Sequence, residues 1–358
     1  MAYTTIPKST AYFNTKLYVG NSNAGNPNTQ SITGLDFQPD WSWIKNRDAG
    51  SNHALFDAVR GVTKLINSNT TTAETTVADT LTGFNSNGFT LGTDVTQGVV
   101  NNINQKFVSW NWKANGQGSS NTDGSINTTY TSASTTSGFS IVQYTGTGAN
   151  ATVGHGLGKV PKTIFVKDLS ASNAWRVYTE ATGNTSQGEL NDGTSFDSGN
   201  TSMWNSTTPT ATLFSIGTHG SVNTSGRDYI AYCFADVQGY SKVGSFTGNG
   251  NADGPFVYTG FKPAFVMIKN TATNSSWYMY DNKRPSVYNP NATVLFANTT
   301  EAEITNTASG EHPIDFLSNG FKIKTTSSAR NGDGNKIWFI AYAEEPLVST
   351  NGNAATAR

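Results

Sequence analysis

The sequence predicts an all-β protein of three tandem β-sandwich modules of the jelly-roll kind, and three observations carry this prediction. First, one set of landmark residues recurs three times along the 358 residues. Second, the landmarks contain short β-branched or aromatic runs between Gly, Pro and Asn clusters, which are typical of strands. Third, only 13% of residues are charged while 11% are aromatic and 36 are glycine, which favours strands and turns over helices.

The repeat is defined by a proline that precedes a lysine by six residues, and the three lysines are Lys45, Lys167 and Lys269. An aromatic residue follows each lysine by eleven positions, at Phe56, Tyr178 and Tyr280. Each copy closes on an apolar tetrad, at 107–110, 229–232 and 339–342. Each copy opens on an aromatic residue two positions before a glycine, at Tyr18, Tyr144 and Phe246. Landmarks in register three times indicate tandem copies of one module.

These landmarks set the predicted domain organisation. We expect a first module at 1–115, a linker or crossing segment at 116–138, a second module at 139–240, a third module at 241–348 and a flexible tail at 349–358. Modules two and three meet with almost no spacer, so we expect them to pack closely and module one to sit more freely. A turn of helix is expected only within 52–67.

Charge and cysteine content exclude several classes of protein. The net charge is −1, and no Lys/Arg cluster exists that could follow a phosphate backbone, so nucleic acid is not an expected partner. No apolar run approaches the ~18 residues of a membrane helix, and the N-terminus carries no secretion signal, so we expect synthesis in a cytosol without membrane insertion. The single Cys233 rules out a disulfide within the chain and is expected to be buried.

Residues that carry chemistry are sparse. The four histidines are scattered without the spacing of a zinc site: His53, His155, His219 and His312. The carboxylate pairs Glu301/Glu303 and Glu344/Glu345 are candidates for glycosidase acids by adjacency alone, and neither recurs in the other modules. We therefore expect no enzymatic activity.

Two loop motifs imitate binding sites. The segment 146–151 fits a dinucleotide fingerprint, but the residues that follow it do not begin a helix. The segments 121–125 and 331–335 place oxygen-bearing side chains near a glycine, and turn chemistry explains the same pattern with fewer carboxylates than a calcium loop needs. We expect neither a cofactor nor a metal, although the sequence leaves calcium open.

The tryptophans offer the best candidates for binding. Trp43, Trp110 and Trp338 lie at strand landmarks and are expected in the core, and the matched positions of Trp175 and Trp277 suggest packing. Trp204 lies in a polar loop without a strand pattern, where an exposed indole could stack on a sugar ring. The alternative is a loop anchor that packs into its own module. Trp204 is the candidate glycan-binding residue.

Several segments together resemble structural proteins of marine bacteriophages, especially those that infect cyanobacteria. They are 11–18, 34–39 with 43–47, 57–61, 154–158 with Pro161, 232–235, 239–242 and 254–261, and they cover nearly the whole chain. Such proteins are described as tail-fibre or virion-surface components. The resemblance implies a virion protein, made in the host cytoplasm, whose partners are other virion proteins and a host-surface glycan or protein. It also implies a homo-oligomer, for which we expect a trimer.

Three functions follow from this resemblance. The first is a non-enzymatic tail fibre or tail-associated protein for host attachment. The second is a capsid decoration or head-fibre protein without a receptor role, favoured by the lack of a recognisable tail-docking segment near Lys8–Phe13. The third is a polysaccharide-degrading spike, which the carboxylate census disfavours.

Overall fold

The computed structural model describes residues 3–305, 313–346 and 348. In this part of the chain strands dominate and pair in antiparallel sheets, which confirms the all-β class. Helical structure is confined to a 3-10 turn and two single turns of α-helix, which are Ser9–Ala11, α1 (Gly220–Asn223) and α2 (Ser328–Asn331). The turn of helix expected within 52–67 is wrong, because 54–57 is a fully buried strand there and burial of an apolar run overrides local propensity.

The first unit contains nine strands: β1 (Phe13–Val19), β2 (Gln30–Thr33), β3 (Trp41–Asn46), β4 (Ala54–Asp57), β5 (Lys64–Leu65), β6 (Thr75–Thr76), β7 (Leu81–Asn85), β8 (Gly88–Leu91) and β9 (Lys106–Trp112). Its large sheet has the order β1-β9-β3-β4 and its small sheet the order β2-β8-β7, with β5 and β6 as a separate pair.

The second unit also contains nine strands: β10 (Tyr130–Ser134), β11 (Phe139–Thr145), β12 (Ala151–Gly154), β13 (Thr163–Asp168), β14 (Arg176–Thr179), β15 (Ser186–Glu189), β16 (Asp197–Ser198), β17 (Leu213–Ile216) and β18 (Asp228–Phe234). The large sheet runs β10-β11-β18-β13-β14-β15-β16 and the small sheet is β12-β17. The predicted crossing segment 116–138 thus supplies the edge strand β10.

The third unit comprises the remaining strands: β19 (Ser241–Thr247), β20 (Phe256–Tyr258), β21 (Phe261–Asn270), β22 (Tyr278–Asp281), β23 (Thr293–Phe296), β24 (Ile304–Thr305), β25 (Ile314–Leu317), β26 (Gly320–Ile323) and β27 (Lys336–Pro346). Its large sheet runs β19-β27-β21-β22-β23-β24 and its small sheet β20-β26-β25.

One strand order is therefore common to the three large sheets. The opening strand pairs with the closing strand, which pairs with the strand that bears the repeated lysine. In register, Lys45 lies opposite Val108, Lys167 opposite Ile230 and Lys269 opposite Trp338. The three lysines occupy equivalent positions, so the sequence repeat corresponds to a repeat of topology.

Each large sheet has two apolar faces. In the first and second units one face packs on the unit's small sheet and forms a separate core. The other face joins a core shared by all three units, and this core includes Trp43, Phe165 and Met267 from equivalent positions. At its centre these side chains leave a void of about 10 Å³, which matches the close packing of protein interiors.

The expectation that the first module sits more freely does not hold, because each unit contacts both of the others. Lys45 Nζ donates to Thr300 O at 3.2 Å, Lys167 Nζ to Thr71 O at 3.0 Å and Lys269 Nζ to Gly193 O at 3.3 Å. The donors lie in the first, second and third units, and the acceptors in the third, first and second. The contacts therefore close a ring.

A second set of contacts repeats this cyclic pattern eight residues after each lysine. His53 Nε2 lies 2.9 Å from Phe296 O, Trp175 Nε1 donates to Asn67 O at 2.9 Å, and Trp277 Nε1 donates to Glu189 O at 2.9 Å. Each aromatic nitrogen reaches a backbone carbonyl of the neighbouring unit in the same order as the lysines. The ring is thus held twice by side chains at equivalent positions, although one of them is histidine.

Two of the three junctions also contain a buried ion pair. At the junction of the first and third units, Arg284 Nε lies 2.5 Å from Asp281 Oδ2, which also accepts from Trp110 Nε1 at 3.0 Å. At the junction of the first and second units, Arg60 Nε lies 2.6 Å from Asp57 Oδ2, which accepts from the Tyr232 hydroxyl at 2.7 Å.

The third junction is uncharged at the equivalent positions. These are Thr179, Thr182 and Ile340 in place of the aspartate, the arginine and the aromatic donor. The whole polar set has been exchanged together, as expected when a buried charge cannot be left without its partner.

Candidate functional site

The structure places the sequence-predicted glycan contact Trp204 inside the second unit. Its side chain is 2% exposed, its Nε1 donates to Ser186 O at 3.0 Å, and its ring packs edge-on against Tyr178. A ring covered in this way cannot stack on a sugar in this conformation. Trp204 therefore acts as the loop anchor that the sequence left as the alternative, because the polar loop around it conceals an apolar pocket.

Other sequence-based expectations about buried residues are confirmed. Trp43, Trp110 and Trp338 are fully buried, as are Trp175 and Trp277. Cys233 is a buried free thiol, and burial raises its pKa to about 12. A thiol with so high a pKa is neutral at physiological pH and unreactive.

The histidines within the described residues serve structure. His53 lies between Trp43 Nε1, which donates to its Nδ1 at 2.8 Å, and the neighbouring unit, and burial holds its pKa well below the usual value. His155 contacts Thr210 O, and His219 accepts from Ser221 N at the start of α1. His312 lies outside the described residues.

The remaining chemical candidates are dispersed across the fold. Glu303 binds Arg47 in the neighbouring unit through two hydrogen bonds, and Glu344 pairs with Lys262. The glycine motif at 146–151 leads into strand β12. The loop oxygens of Asn121 and Asn331 engage groups of the chain itself. Within the part of the chain that the structure describes, no cluster of three metal-ligating side chains occurs.

One strand of the third unit departs from this pattern of buried aromatic residues. Phe256 is 45% exposed and Tyr258 is 47% exposed, and among the described residues they are the only aromatic side chains classed as exposed. Between them Val257 is buried. Alternation along β20 therefore directs both rings to the same outer face of the small sheet, about 7 Å apart along the strand at ~3.3 Å per residue.

The equivalent strands of the other units carry no aromatic residue on this face. Pairing aligns Val257 opposite Phe321 with Ile32 opposite Phe89 and Val153 opposite Phe214. The positions that flank the buried residue are then Ser31 and Thr33 in the first unit and Thr152 and Gly154 in the second. The aromatic pair is an addition to a strand that folds without it elsewhere in the same chain.

On the neighbouring strands, this face has a glycine beside Tyr258 and charged residues beside Phe256. Tyr258 lies opposite Gly320 and Phe256 opposite Lys322. A Cβ at Gly320 would lie 2.1 Å from Val257 O, so this position admits no side chain and stays low beside the rings. Lys322 Nζ forms an ion pair with Asp253 at 2.7 Å, and Asp315 lies opposite Lys322 on β25.

A polar pocket of about 300 Å³ opens at the Tyr258 end of the strand. It is lined by Tyr3, Asp236, Gln238, Gly239, Ser241, Lys242, Tyr258, Thr259 and Gly260. Lys242 Nζ donates to Tyr258 O at 2.8 Å and lies 5.4 Å from the centre of the Tyr258 ring. The Tyr3 hydroxyl donates to Gly260 O at 2.7 Å and lies 3.3 Å from the Tyr258 hydroxyl.

Burial raises the pKa of two groups in this pocket. Desolvation and the neighbouring hydroxyl of Tyr258 raise the pKa of Tyr3 to about 12, so the Tyr3 hydroxyl remains protonated at physiological pH. Desolvation also raises the pKa of Asp236, against the opposing effects of the Val243 amide and of Lys162 and Lys242. The exposed rings of Phe256 and Tyr258 are therefore continuous with a pocket that contains both hydrogen-bond donors and hydrogen-bond acceptors.

Phe256 and Tyr258 are not among the residues that the sequence predicts to bind a ligand. The segment 254–261 contributes to the sequence-based expectations only through a resemblance, and the predicted sugar-stacking residue is a tryptophan. The signal was present in the repeat itself, because an alignment of the three units at the buried residue of this strand shows aromatics in one copy and small residues in two.

The comparison with protein families identifies the chain as a member of the family described as "Domain of unknown function (DUF7483)", whose model matches residues 8–346. This match spans the strands of all three units. No curated protein sequence matches the chain. A search of the described residues found no helix long and apolar enough to cross a membrane.

Proposed function

We propose that the protein is a non-enzymatic structural protein of a bacteriophage virion that attaches the particle to a host-surface glycan through the outer face of its third unit. The observation that carries the attachment role is the exposed Phe256–Tyr258 pair, which occurs once among three otherwise equivalent strands. The resemblance to marine phage virion proteins supports the location at the particle surface.

The proposal includes the finer fold of three jelly-roll sandwiches. In each unit the opening strand lies beside the last strand (β1-β9, β11-β18 and β19-β27), and the strand that follows it lies beside the penultimate one (β2-β8, β12-β17 and β20-β26), with β10 added at the edge of the second unit. This interleaving is expected when a long hairpin is wrapped into two facing sheets. The boundaries at 1–115, 139–240 and 241–348 belong to this proposal, with the edge strand β10 contributed to the second unit by the segment 116–138.

The ligand class that suits this face is a carbohydrate, because the C–H face of a sugar ring is apolar and its rim is polar. Two rings about 7 Å apart present stacking surfaces to successive sugars, while Lys322 and Lys242 supply donors at the edges. Aromatic rings provide large contact areas at a low entropic cost, which makes them effective in binding surfaces.

The capsid decoration role is the second candidate, and one observation favours it. The three units share one core and close a ring, as in the contacts of Lys45, Lys167 and Lys269 with neighbouring units. Such a body is a compact knob and differs from the extended shaft expected of a fibre. A body of this shape suits either the tail or the capsid surface. The trimer expected from the resemblance would assemble three chains, each of which already contains a ring of three units.

Two measurements test the proposal. Electron microscopy of intact particles with a gold-labelled antibody locates the protein, and we expect label at the tail or its fibres. A glycan array probed with the purified chain tests attachment, and we expect binding that is lost in the variant Phe256→Ser/Tyr258→Thr, which copies the first unit. Label spread over the head together with an empty array would instead support decoration without a receptor.

A further inference from the structure

The pocket next to Tyr258 contains a carboxylate whose hydrogen-bonding capacity is only partly used. Asp236 Oδ1 accepts from the Val243 amide at 2.8 Å. Among the described residues no group hydrogen-bonds to Oδ2, although Asp236 lines the pocket. An ionised carboxylate can accept several hydrogen bonds through its two oxygens, so Asp236 has capacity left for the hydroxyl groups of a ligand.

The other polar groups of the pocket complement this carboxylate. Lys242 uses one proton for Tyr258 O and retains two further donors. Gln238 is exposed and supplies both a donor and an acceptor. One carboxylate and one ammonium group therefore line the same pocket together with neutral hydroxyls, and this balance favours a neutral ligand over a charged one.

The geometry of the strand sets the direction of a bound chain. Tyr3 and Gly260 line the pocket and are joined by a hydrogen bond of 2.7 Å, whereas Phe256, two residues before Tyr258 on β20, lies outside the lining. A pocket of about 300 Å³ lies at the lower limit for ligand sites and has room for one sugar ring. The end of a chain fits there, and the following sugars lie over the two rings.

We propose that this pocket binds the terminal residue of a neutral glycan, with Asp236 and Gln238 holding its hydroxyl groups and Tyr258 and Phe256 stacking on the residues that follow. This inference rests on the proposed attachment function and deepens it by naming the ligand class and the part of the ligand that is recognised. Acidic polysaccharides are disfavoured, because their carboxylates or sulfates would meet Asp236.

The test uses the full-length chain and sets of neutral oligosaccharides, uronate oligosaccharides and sulfated oligosaccharides, first on an array and then by titration calorimetry with the best binder. Asp236→Asn keeps an oxygen for the Val243 amide and removes the charge, and Gln238→Ala removes the exposed amide. We expect each variant to weaken binding about tenfold. The matched control is Asp197→Asn, which removes an exposed carboxylate on β16 of the second unit and should change affinity less than twofold.

The outcomes separate the two proposals. Preference for neutral glycans with a loss in Asp236→Asn and Gln238→Ala supports the inference. Binding that depends on Phe256 and Tyr258 but is unchanged in both pocket variants, or that is restricted to acidic glycans, overturns the inference and leaves the attachment function in place. Failure of every glycan class to bind the wild-type chain overturns the attachment function itself.

Discussion

The three repeats have diverged to different extents in two regions. One region is the lysine end of each large sheet, where Lys45, Lys167 or Lys269 lies, and the other is the outer strand of each small sheet, which is β2, β12 or β20. At the lysine ends all three copies keep the same residue, the same register and the same contact with a neighbouring unit. On the outer strands the residues that flank the buried position are Ser31 and Thr33 in one copy and Phe256 and Tyr258 in another.

This difference distinguishes scaffold from specialisation within one chain. A feature present in every copy is required by the architecture, because each unit must close the same junction. A feature present in one copy is free of that requirement and is a candidate for function. The buried ion pairs are an intermediate case, since two junctions contain them and the third replaces every member of the set.

The largest expected effect concerns the scaffold at the junction of the first and third units. Asp281→Ala removes the 2.5 Å partner of the fully buried Arg284 and leaves the 3.1 Å ion pair with Glu303 in place, and we expect a loss of about 3 kcal/mol in the free energy of unfolding. Asp57→Ala should cost a similar amount at its junction, while Thr179→Ala should cost about 1 kcal/mol or less. Urea unfolding of the three variants measures the contrast.

The natural replacement at the third junction supplies a control for this prediction. Asp281→Thr/Arg284→Thr copies Thr179 and Thr182 and removes both charges together. We expect it to be more stable than Asp281→Ala by about 1–3 kcal/mol, because no buried charge is left alone. Equal stability of the two variants would show that the ion pair is not what the junction requires.

The next effect concerns the repeated lysines. Lys167→Met removes the donor from Thr71 O, Asp168 O and Asn173 O, and we expect a cost of about 2 kcal/mol for the unpaired carbonyls. Lys45→Met and Lys269→Met should cost the same within about 1 kcal/mol, because their surroundings are equivalent. Thermal or urea unfolding measures this, and costs that differ widely between units would break the claim of equivalence.

The same lysines predict how stability depends on pH. Burial lowers the pKa of Lys45, Lys167 and Lys269 from the usual lysine value of 10.5 to about 8. Between these values the unfolded chain binds more protons than the folded chain, so the free energy of unfolding rises with pH. We expect the urea midpoint to increase from pH 8 to about pH 10, where tyrosine ionisation in the unfolded chain begins to oppose it.

The matched variant is Lys167→Met, which removes one of the three groups and should reduce this rise by about a third. A midpoint that stays level or falls between pH 8 and pH 9.5 would mean that the carbonyl acceptors keep the lysines charged in the folded protein.

The smallest expected effect on stability is at the proposed binding face. Phe256→Ser/Tyr258→Thr removes two exposed rings from a strand that folds with small residues in the first unit, and we expect a change within about 1 kcal/mol. Circular dichroism and urea unfolding check this expectation. A large loss of stability would indicate that the rings serve the fold, and the contrast between scaffold and specialisation would then fail at this strand.

Much of the architecture could be predicted from the sequence, because the repeat constrains it. The lysine spacing predicted equivalent strands, and the landmark tryptophans predicted the core. The predicted tetrad 339–342 lies two residues too late, because Lys269 lies opposite Trp338 and the segment equivalent to 107–110 and 229–232 is therefore 337–340. The cyclic contacts between the three units could not be predicted, because those of Lys45 with Thr300 and of Trp175 with Asn67 join residues far apart in the chain. Local patterns do not report such tertiary partners.

The choice of Trp204 as the candidate binding residue failed for a related reason. A polar loop suggested that Trp204 was exposed, but exposure is a property of the fold, and the loop folds over its own tryptophan. Phe256 and Tyr258 looked like ordinary strand residues, since strands are rich in aromatics. Only the pairing of β20 with β26 shows which face of that strand remains open.

The most direct test of the account is a calorimetric titration of one array-selected glycan into three proteins: the wild-type chain, Phe256→Ser/Tyr258→Thr and the control Ser31→Ala/Thr33→Ala on the equivalent strand. The account predicts about a hundredfold loss of affinity in the aromatic variant, from about tenfold per ring, and no change in the control. Equal affinity in all three proteins would contradict the claim that the third unit carries the binding site.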